Sequence, residues 1–197
     1  MSAYKFTFKH DGDTMFDCFL TAYICSATNK NGTHCKKTTT IGTPYCYTHL
    51  LHLMHLKVKQ STIPNAGKGV FATDPKRPAN AIIFKKNALI APYGGEKLSS
   101  DEMVDRYDDL TAPYGMFVNK TKNIHRDAAC ERGIGSLINH KPGNRANVYY
   151  APNYTNNTVN IKAARDIRNG QELFADYRED YNFNENTTYT TKMSKRE

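Results

Sequence analysis

Hydrophobic and polar positions along this chain alternate in short runs rather than in long helical stripes. Tyr4-Lys5-Phe6-Thr7-Phe8-Lys9 alternates residue by residue, the period of a strand with one buried face. Apolar runs at Ala81-Ile82-Ile83-Phe84, Leu89-Ile90-Ala91, Tyr114-Gly115-Met116-Phe117-Val118, Val148-Tyr149-Tyr150 and Val159-Asn160-Ile161-Lys162-Ala163-Ala164 are all strand-length, with turn residues between them. Two segments read as helices. His49 opens one that carries Leu50, Leu51, Leu53, Met54, Leu56 and Val58. Ser99, with Glu102 three residues on, forms a capping box that predicts a short helix from Ser100 to Leu110. The chain is therefore predicted to be mostly β with short helices.

One stretch breaks its own pattern. Gly133-Ile134-Gly135-Ser136-Leu137-Ile138 is apolar, then turns polar at Asn139-His140 and bends through Pro142-Gly143. Two directional hydrogen-bonding side chains at the edge of a core must find partners.

A chain of 197 residues, 39% hydrophobic, can bury one good core and carry a small appendage. No apolar run approaches membrane-spanning length, and the mixed, charged start from Met1 to Asp13 is not a secretory signal. An intracellular protein without a membrane partner is expected. The net charge is +8. It divides into about +4 over residues 1–59, about +4 over 60–177 and about zero over 178–197, with no block of five like charges. This reads as a solvated basic surface, with nucleic-acid contact weak or indirect.

Five cysteines are an odd number, which speaks against a closed disulfide framework and leaves metal ligands or free thiols. Cys25, Cys35, Cys46 and His49 lie among small polar residues that bury almost nothing, so something else must hold that segment together. Three thiolates and an imidazole suit tetrahedral zinc. Cys46 and His49 sit at the two ends of one turn, while His52 and His55 on the same helix compete for the fourth position. The plainer alternative is a set of scattered reduced cysteines. Cys18 lies apart and reads as a buried thiol.

Five spaced motifs then resemble the SET-domain protein lysine methyltransferases. They are Gly67-Lys68-Gly69 followed by Val70-Phe71-Ala72, then Tyr93-Gly94-Gly95-Glu96, Asp127-Ala128, Gly133 to His140, and Glu172-Leu173-Phe174-Ala175-Asp176-Tyr177. The resemblance covers residues 65–177. It implies the β-rich SET fold, in which the C-terminal segment passes through a loop as a pseudoknot. It divides the chain into an N-terminal zinc-binding module (1–59), a SET methyltransferase domain (60–178) and a C-terminal tail (179–197).

The resemblance also implies an activity. S-adenosylmethionine would donate a methyl group to the side-chain amine of lysine in a protein, a histone tail in the nucleus being the expected substrate. Tyr177, Tyr93 and Tyr150 are the expected catalytic residues. Gly67, Lys68, Gly69, Tyr114, Asn139, His140, Tyr177 and Phe183 are the expected cofactor contacts. Ala175, two residues before Tyr177, would leave room in the lysine pocket for more than one methyl. The chain departs from the family where Lys141 stands in place of Ser, and Asn144 and Asn147 compete for a second Asn position. That departure supports the competing reading, a non-catalytic SET-like interaction module recruited through its zinc segment.

Overall fold

Strand Phe174–Ala175 runs between two strands of an earlier loop. It pairs in parallel with Asn139–His140 on one side and with Val148 on the other. The loop that joins those two strands therefore embraces the C-terminal segment, which is the threading expected of the SET fold. The sheet continues through strands Val148–Asn153, Thr158–Ala163 and Leu89–Pro92. The computed structural model describes residues 3–10, 12–108, 110–178, 181 and 187–195. Phe183, expected at the cofactor, lies outside the described residues.

The core forms under that sheet. Leu50, Leu56, Val70, Ile134, Ile161 and Leu173 are each at most 1% exposed. Fully burying an aliphatic side chain of this size stabilises by about 1.5–3 kcal/mol. The core thus joins the helix after the cysteines to the two motif-bearing ends of the SET segment.

Helix α1 (Tyr47–Met54) is shorter than its apolar pattern predicts. His55 adopts a left-handed conformation (φ 55°) and ends it. Leu56 and Val58 belong instead to strand Leu56–Gln60, which pairs antiparallel with Lys68–Ala72. Their spacing of two suits a strand, with Lys57 and Lys59 turned outward. Helix α2 (Ser100–Tyr107) has the predicted capping box, in which the Ser99 N–H donates to Glu102 Oε2 at 2.7 Å. It stops three residues before Leu110.

The first residues form a hairpin, Ala3–His10 with Asp13–Thr21, and Thr187–Lys195 adds a third strand. Phe8 is 2% exposed and stacks on Phe16 with centroids 4.6 Å apart. Phe16 in turn meets the edge of Tyr107 at 5.1 Å, on helix α2. The hairpin therefore rests on the SET segment. Cys18 is no free thiol. The fold brings it to Cys130, 112 residues later, and the two form a disulfide with Cα atoms 4.8 Å apart. The odd cysteine count resolves into one disulfide and three thiols. Among the described residues, no helix is long and apolar enough to cross a membrane.

Candidate active site and metal-binding cluster

Tyr177 is held at both ends by the strand beside it. Its backbone N–H donates to His140 Nδ1 at 3.0 Å, and its hydroxyl donates to the Ile138 carbonyl at 2.6 Å. An Nδ1 that accepts places the His140 proton on Nε2. Burial lowers the His140 pKa below 6.5, with Asp176 acting the other way, so the ring is kept neutral. Asp176 accepts from the N–H groups of Gly143 (2.7 Å) and Arg178 (2.9 Å), which closes the turn after Tyr177 onto the embracing loop.

Lys141 does not disturb this arrangement. Its N–H donates to the Ala175 carbonyl at 3.0 Å, and its ammonium lies 3.8 Å from the centre of the Phe174 ring. Asn147, 5% exposed, fills the second Asn position. It donates to the Glu172 carbonyl at 2.8 Å and accepts from the Phe174 N–H at 2.8 Å. Asn144 lies in the exposed turn before it.

Sequence reasoning passed over Glu172, which is the hub of this region. It is 5% exposed, and its carboxylate accepts from Ser61 Oγ, Thr62 N, Thr62 Oγ1 and Asn139 Nδ2 at 2.6–3.2 Å. Burial raises its pKa, but those donors outweigh burial and the net shift is downward. Asn139 Nδ2 also donates to the Lys68 carbonyl at 3.1 Å. The signal available was a carboxylate at the head of the apolar run Leu173-Phe174-Ala175, which must be paired if buried.

The two glycines have different duties. A Cβ on Gly69 would fall 2.1 Å from Glu172 Oε1, so Gly69 serves packing within the protein. Gly67 is exposed, has φ 68° and has no heavy atom within 4 Å of where a Cβ would stand. Its backbone is open to a ligand, as a cofactor cradle requires.

Tyr177 also lines a cleft of about 1330 Å³. Tyr93, Tyr114, Tyr150 and Tyr181 share that lining, whereas Gly67, Lys68, Gly69, Asn139 and His140 lie outside it. Tyr177 is the expected residue common to both sets. Tyr114, expected on the cofactor, belongs with the cleft, where its carbonyl accepts from Tyr93 OH at 2.9 Å. The Tyr93 and Tyr150 rings meet edge to face at 5.2 Å, and Tyr177 lies 5.1 Å from Tyr181. Burial, and then neighbouring phenols, push the pKa values of Tyr93, Tyr150 and Tyr177 well above the ordinary phenol value. The part of the wall formed by Tyr93, Tyr150 and Tyr177 is aromatic and uncharged, while Lys120, Lys122, Asp176 and Arg178 line other parts of the cleft.

Ala175 is absent from the cleft lining and is fully buried in the main core. On this geometry Ala175 borders the core and not the cleft. Asp127, of the Asp127-Ala128 motif, is fully buried and accepts from Arg106 (2.7 Å) and Tyr107 OH (2.9 Å). Arg106 also binds Glu96 at 2.7 Å, which ties the Tyr93 to Glu96 motif to helix α2.

Cys25, Cys35, Cys46 and His49 converge, with their ligand atoms all within 4.8 Å of one another. His49 Nδ1 is 3.4 Å from Cys25 Sγ and 3.5 Å from Cys46 Sγ, and Cys35 Sγ is 4.0 Å from Cys46 Sγ. A tetrahedral zinc ion with its usual bond lengths needs ligand separations of about 3.5–3.8 Å. The donor set and the spacing therefore fit the ion. His49, rather than His52 or His55, completes the cluster. Burial opposes ionisation of the Cys46 thiol, but the His49 N–H and imidazole outweigh it and bring the pKa to about 6.

The sequence profile of the SET domain matches residues 67–178. A crystal structure of the Chaetomium thermophilum polycomb repressive complex 2 is 25% identical with a TM-score of 0.53, over 68% of this chain and 16% of that one. The ctPRC2 complex with H3K27me3 and H3K27M is 22% identical, with a TM-score of 0.53 over 76% of this chain and 16% of that one. Autoinhibited ctPRC2 bound to S-adenosylmethionine is 22% identical, with a TM-score of 0.51 over 65% and 16%. This chain thus spans about one sixth of the length of the chains it matches. A sequence search of curated proteins gave no match.

Proposed function

This chain belongs to the SET-domain family, and we propose that it is a protein-lysine N-methyltransferase that uses S-adenosylmethionine. The observation that carries the proposal is the position of Tyr177. It is pinned to Asn139–His140 on one side and exposed to an aromatic cleft on the other. The substrate is a lysine side chain of a protein. A histone is the first choice, because a structural neighbour is a complex with H3K27me3 and H3K27M. The matching place of action is the nucleus.

S-adenosylmethionine supplies a sulfonium methyl group. In the reaction the amine lone pair forms the new N–C bond, the C–S bond breaks with its electron pair left on sulfur, and the amine proton leaves to solvent. This chain's residues have to bind both reactants in line, which can supply several kcal/mol of the barrier. Gly67 offers open backbone, and Asn139, held by Lys68 and Glu172, keeps the neighbouring edge in place. The phenols of Tyr93, Tyr150 and Tyr177 orient the amine from the cleft side.

The amine must also be neutral, against an intrinsic pKa of about 10.4. A half-buried aromatic wall disfavours the ammonium form by desolvation. Neutral phenol oxygens can accept an N–H without adding the countercharge that would favour it. No side chain is needed as a nucleophile or a metal ligand.

Zinc on Cys25, Cys35, Cys46 and His49 would supply the cross-link that this segment lacks in apolar core. The cluster around the ligands otherwise consists of the three cysteines and Ala27, with Tyr45 against them, and Ile41 is the segment's one aliphatic side chain in the main core before helix α1. We divide the chain accordingly into a zinc-binding module (1–59), a catalytic SET domain (60–178) and a tail (179–197).

The test is transfer of labelled methyl from S-adenosylmethionine to recombinant histones and nucleosomes, with mass spectrometry of the product. Label on a lysine, lost in Tyr177→Phe, is the expected result. Tight cofactor binding with no transfer to any protein in a cell extract would leave only the interaction-module reading.

A further inference from the structure

Between Asp17 and Asp74 the chain has no acidic residue, although it holds 19 in all. The same stretch carries six lysines, namely Lys30, Lys36, Lys37, Lys57, Lys59 and Lys68, and no arginine. It comprises the whole metal-binding segment, helix α1 and the strand pair that follows. All six lysines are exposed. We propose that this face binds the phosphate backbone of double-stranded DNA, without regard to base sequence.

The fold gathers the charges. Lys37 Nζ donates to Thr48 Oγ1 at 3.1 Å, at the start of helix α1. Lys68 Nζ lies 5.9 Å from the ring of exposed Tyr47, the first residue of that helix. Lys37 and Lys68 therefore meet at one end of α1. The helix packs against strand Leu56–Gln60, where Lys57 and Lys59 share the outward face. Lys59 lies flat over the Phe71 ring, 4.0 Å from its centre.

Three acids bordering this face are already engaged. Glu172 is buried under its bonds to Ser61, Thr62 and Asn139. Asp74 faces Arg77 at 3.9 Å and His55 at 3.6 Å, and Asp17 pairs with Lys5 at 2.8 Å. Glu131, next to Arg132 whose carbonyl accepts from Gly42, is an exposed acid at the border of the face. The charged side chains of residues 18–73 themselves are all positive.

The lysines are spread over several elements and do not converge on a point, so a small anion could meet only one or two of them. A duplex presents one charge per about 1.7 Å and can meet many at once. The dominance of lysine favours contact with phosphate. Lysine acts as a compact point charge on phosphate, and such contacts carry no base sequence. The inference does not rest on methyl transfer.

The experiment is fluorescence anisotropy of the full, zinc-loaded chain with labelled 20-base-pair duplexes of two unrelated sequences. Both duplexes should bind equally. Four or five phosphate contacts give a log–log salt slope of about −4, a loss of about 250-fold between 50 and 200 mM salt. The combined variant Lys36→Glu, Lys37→Glu, Lys57→Glu, Lys59→Glu should bind at least tenfold more weakly, with zinc content and methylation of a free peptide unchanged. Should that variant lose zinc or fail to fold, Lys57→Gln with Lys59→Gln removes two outward charges and should flatten the slope by about two. Lys85→Glu with Lys86→Glu, outside the segment, is the control. The proposal is overturned if the wild type does not bind at 50 mM salt, if the folded variants bind as tightly as the wild type, or if the control weakens binding equally. Polyglutamate binding as tightly as DNA would overturn it in favour of an acidic protein partner.

Discussion

The backbone N–H of Tyr177 donates to His140 Nδ1 at 3.0 Å, and this bond joins the two motifs that the chain places 37 residues apart. The Tyr177 hydroxyl meanwhile donates to the carbonyl of Ile138, two residues before His140. A single tyrosine is thereby held to one strand by both its backbone and its side chain.

Tyr177→Phe removes the hydroxyl and keeps the ring. Loss of the bond to Ile138 should cost about 0.5–1.5 kcal/mol of stability. Turnover should fall at least tenfold, about 1.4 kcal/mol of barrier. Thermal melting and labelled methyl transfer measure the two effects. Turnover near that of the wild type would remove Tyr177 from the catalytic role.

His140 should make stability depend on pH. Its folded pKa lies below the unfolded 6.5, because burial disfavours the charged ring. The unfolded chain therefore binds the proton first on acidification. The contribution of His140 is fully present above about pH 6.5 and is lost as pH falls through the lower folded value. Protonation would also turn Nδ1 from acceptor to donor and break the bond from Tyr177. Melts of the wild type and His140→Asn between pH 8 and 5 should diverge most at the alkaline end. Parallel curves would show that His140 does not titrate between those limits.

Gly69→Ala places a methyl group against the Glu172 carboxylate. The acid can withdraw only by giving up donors among Ser61, Thr62 and Asn139, at about 1–3 kcal/mol for each partner left unpaired. A drop of several degrees in Tm and weaker binding of S-adenosylmethionine by calorimetry are expected. Gly67→Ala, with open space around it, should affect cofactor binding more than stability. The same response in both variants would contradict this division of roles.

Cys35→Ser should remove the metal, since the cluster then offers two thiolates and one imidazole. Purified wild type should contain one zinc per chain. In the variant, amide hydrogen exchange should speed up over residues 25–49 and stay slow in strands Val148–Asn153 and Thr158–Ala163. Zinc-free wild type with protected amides throughout 25–49 would refute the assignment.

Ala175→Tyr should destabilise rather than tune the product. The residue is fully buried in the core beside Val148 and His140, and its strand is paired on both sides. Overpacking of this kind costs about 1–3 kcal/mol. A variant with unchanged Tm that stops at monomethyl-lysine would restore Ala175 to the lysine pocket.

The sequence alone determined whatever depends on neighbours along the chain. The capping box of Ser99 and Glu102 is a contact across three residues, and it forms as written. Short apolar runs between turn residues become strands because the alternation of faces is local. Cys46 and His49 reach one cluster because they share a turn, and the small polar residues around Cys25 and Cys35 leave it little apolar core to compete with. The motifs from Gly67 to Tyr177 named the fold.

The tertiary structure decided everything that rests on long separations. Cys18 finds Cys130 across 112 residues, a pairing with no local signal. Helix α1 stops at His55 because strand Lys68–Ala72 offers Leu56 and Val58 a ladder. Asn147 prevails over Asn144 because the threaded strand leaves its N–H and carbonyl groups for an amide to satisfy. Glu172 becomes a hub only when Ser61 and Thr62 arrive from 110 residues away. Buried polar groups must be paired, and which partners they find is set by which strands lie side by side.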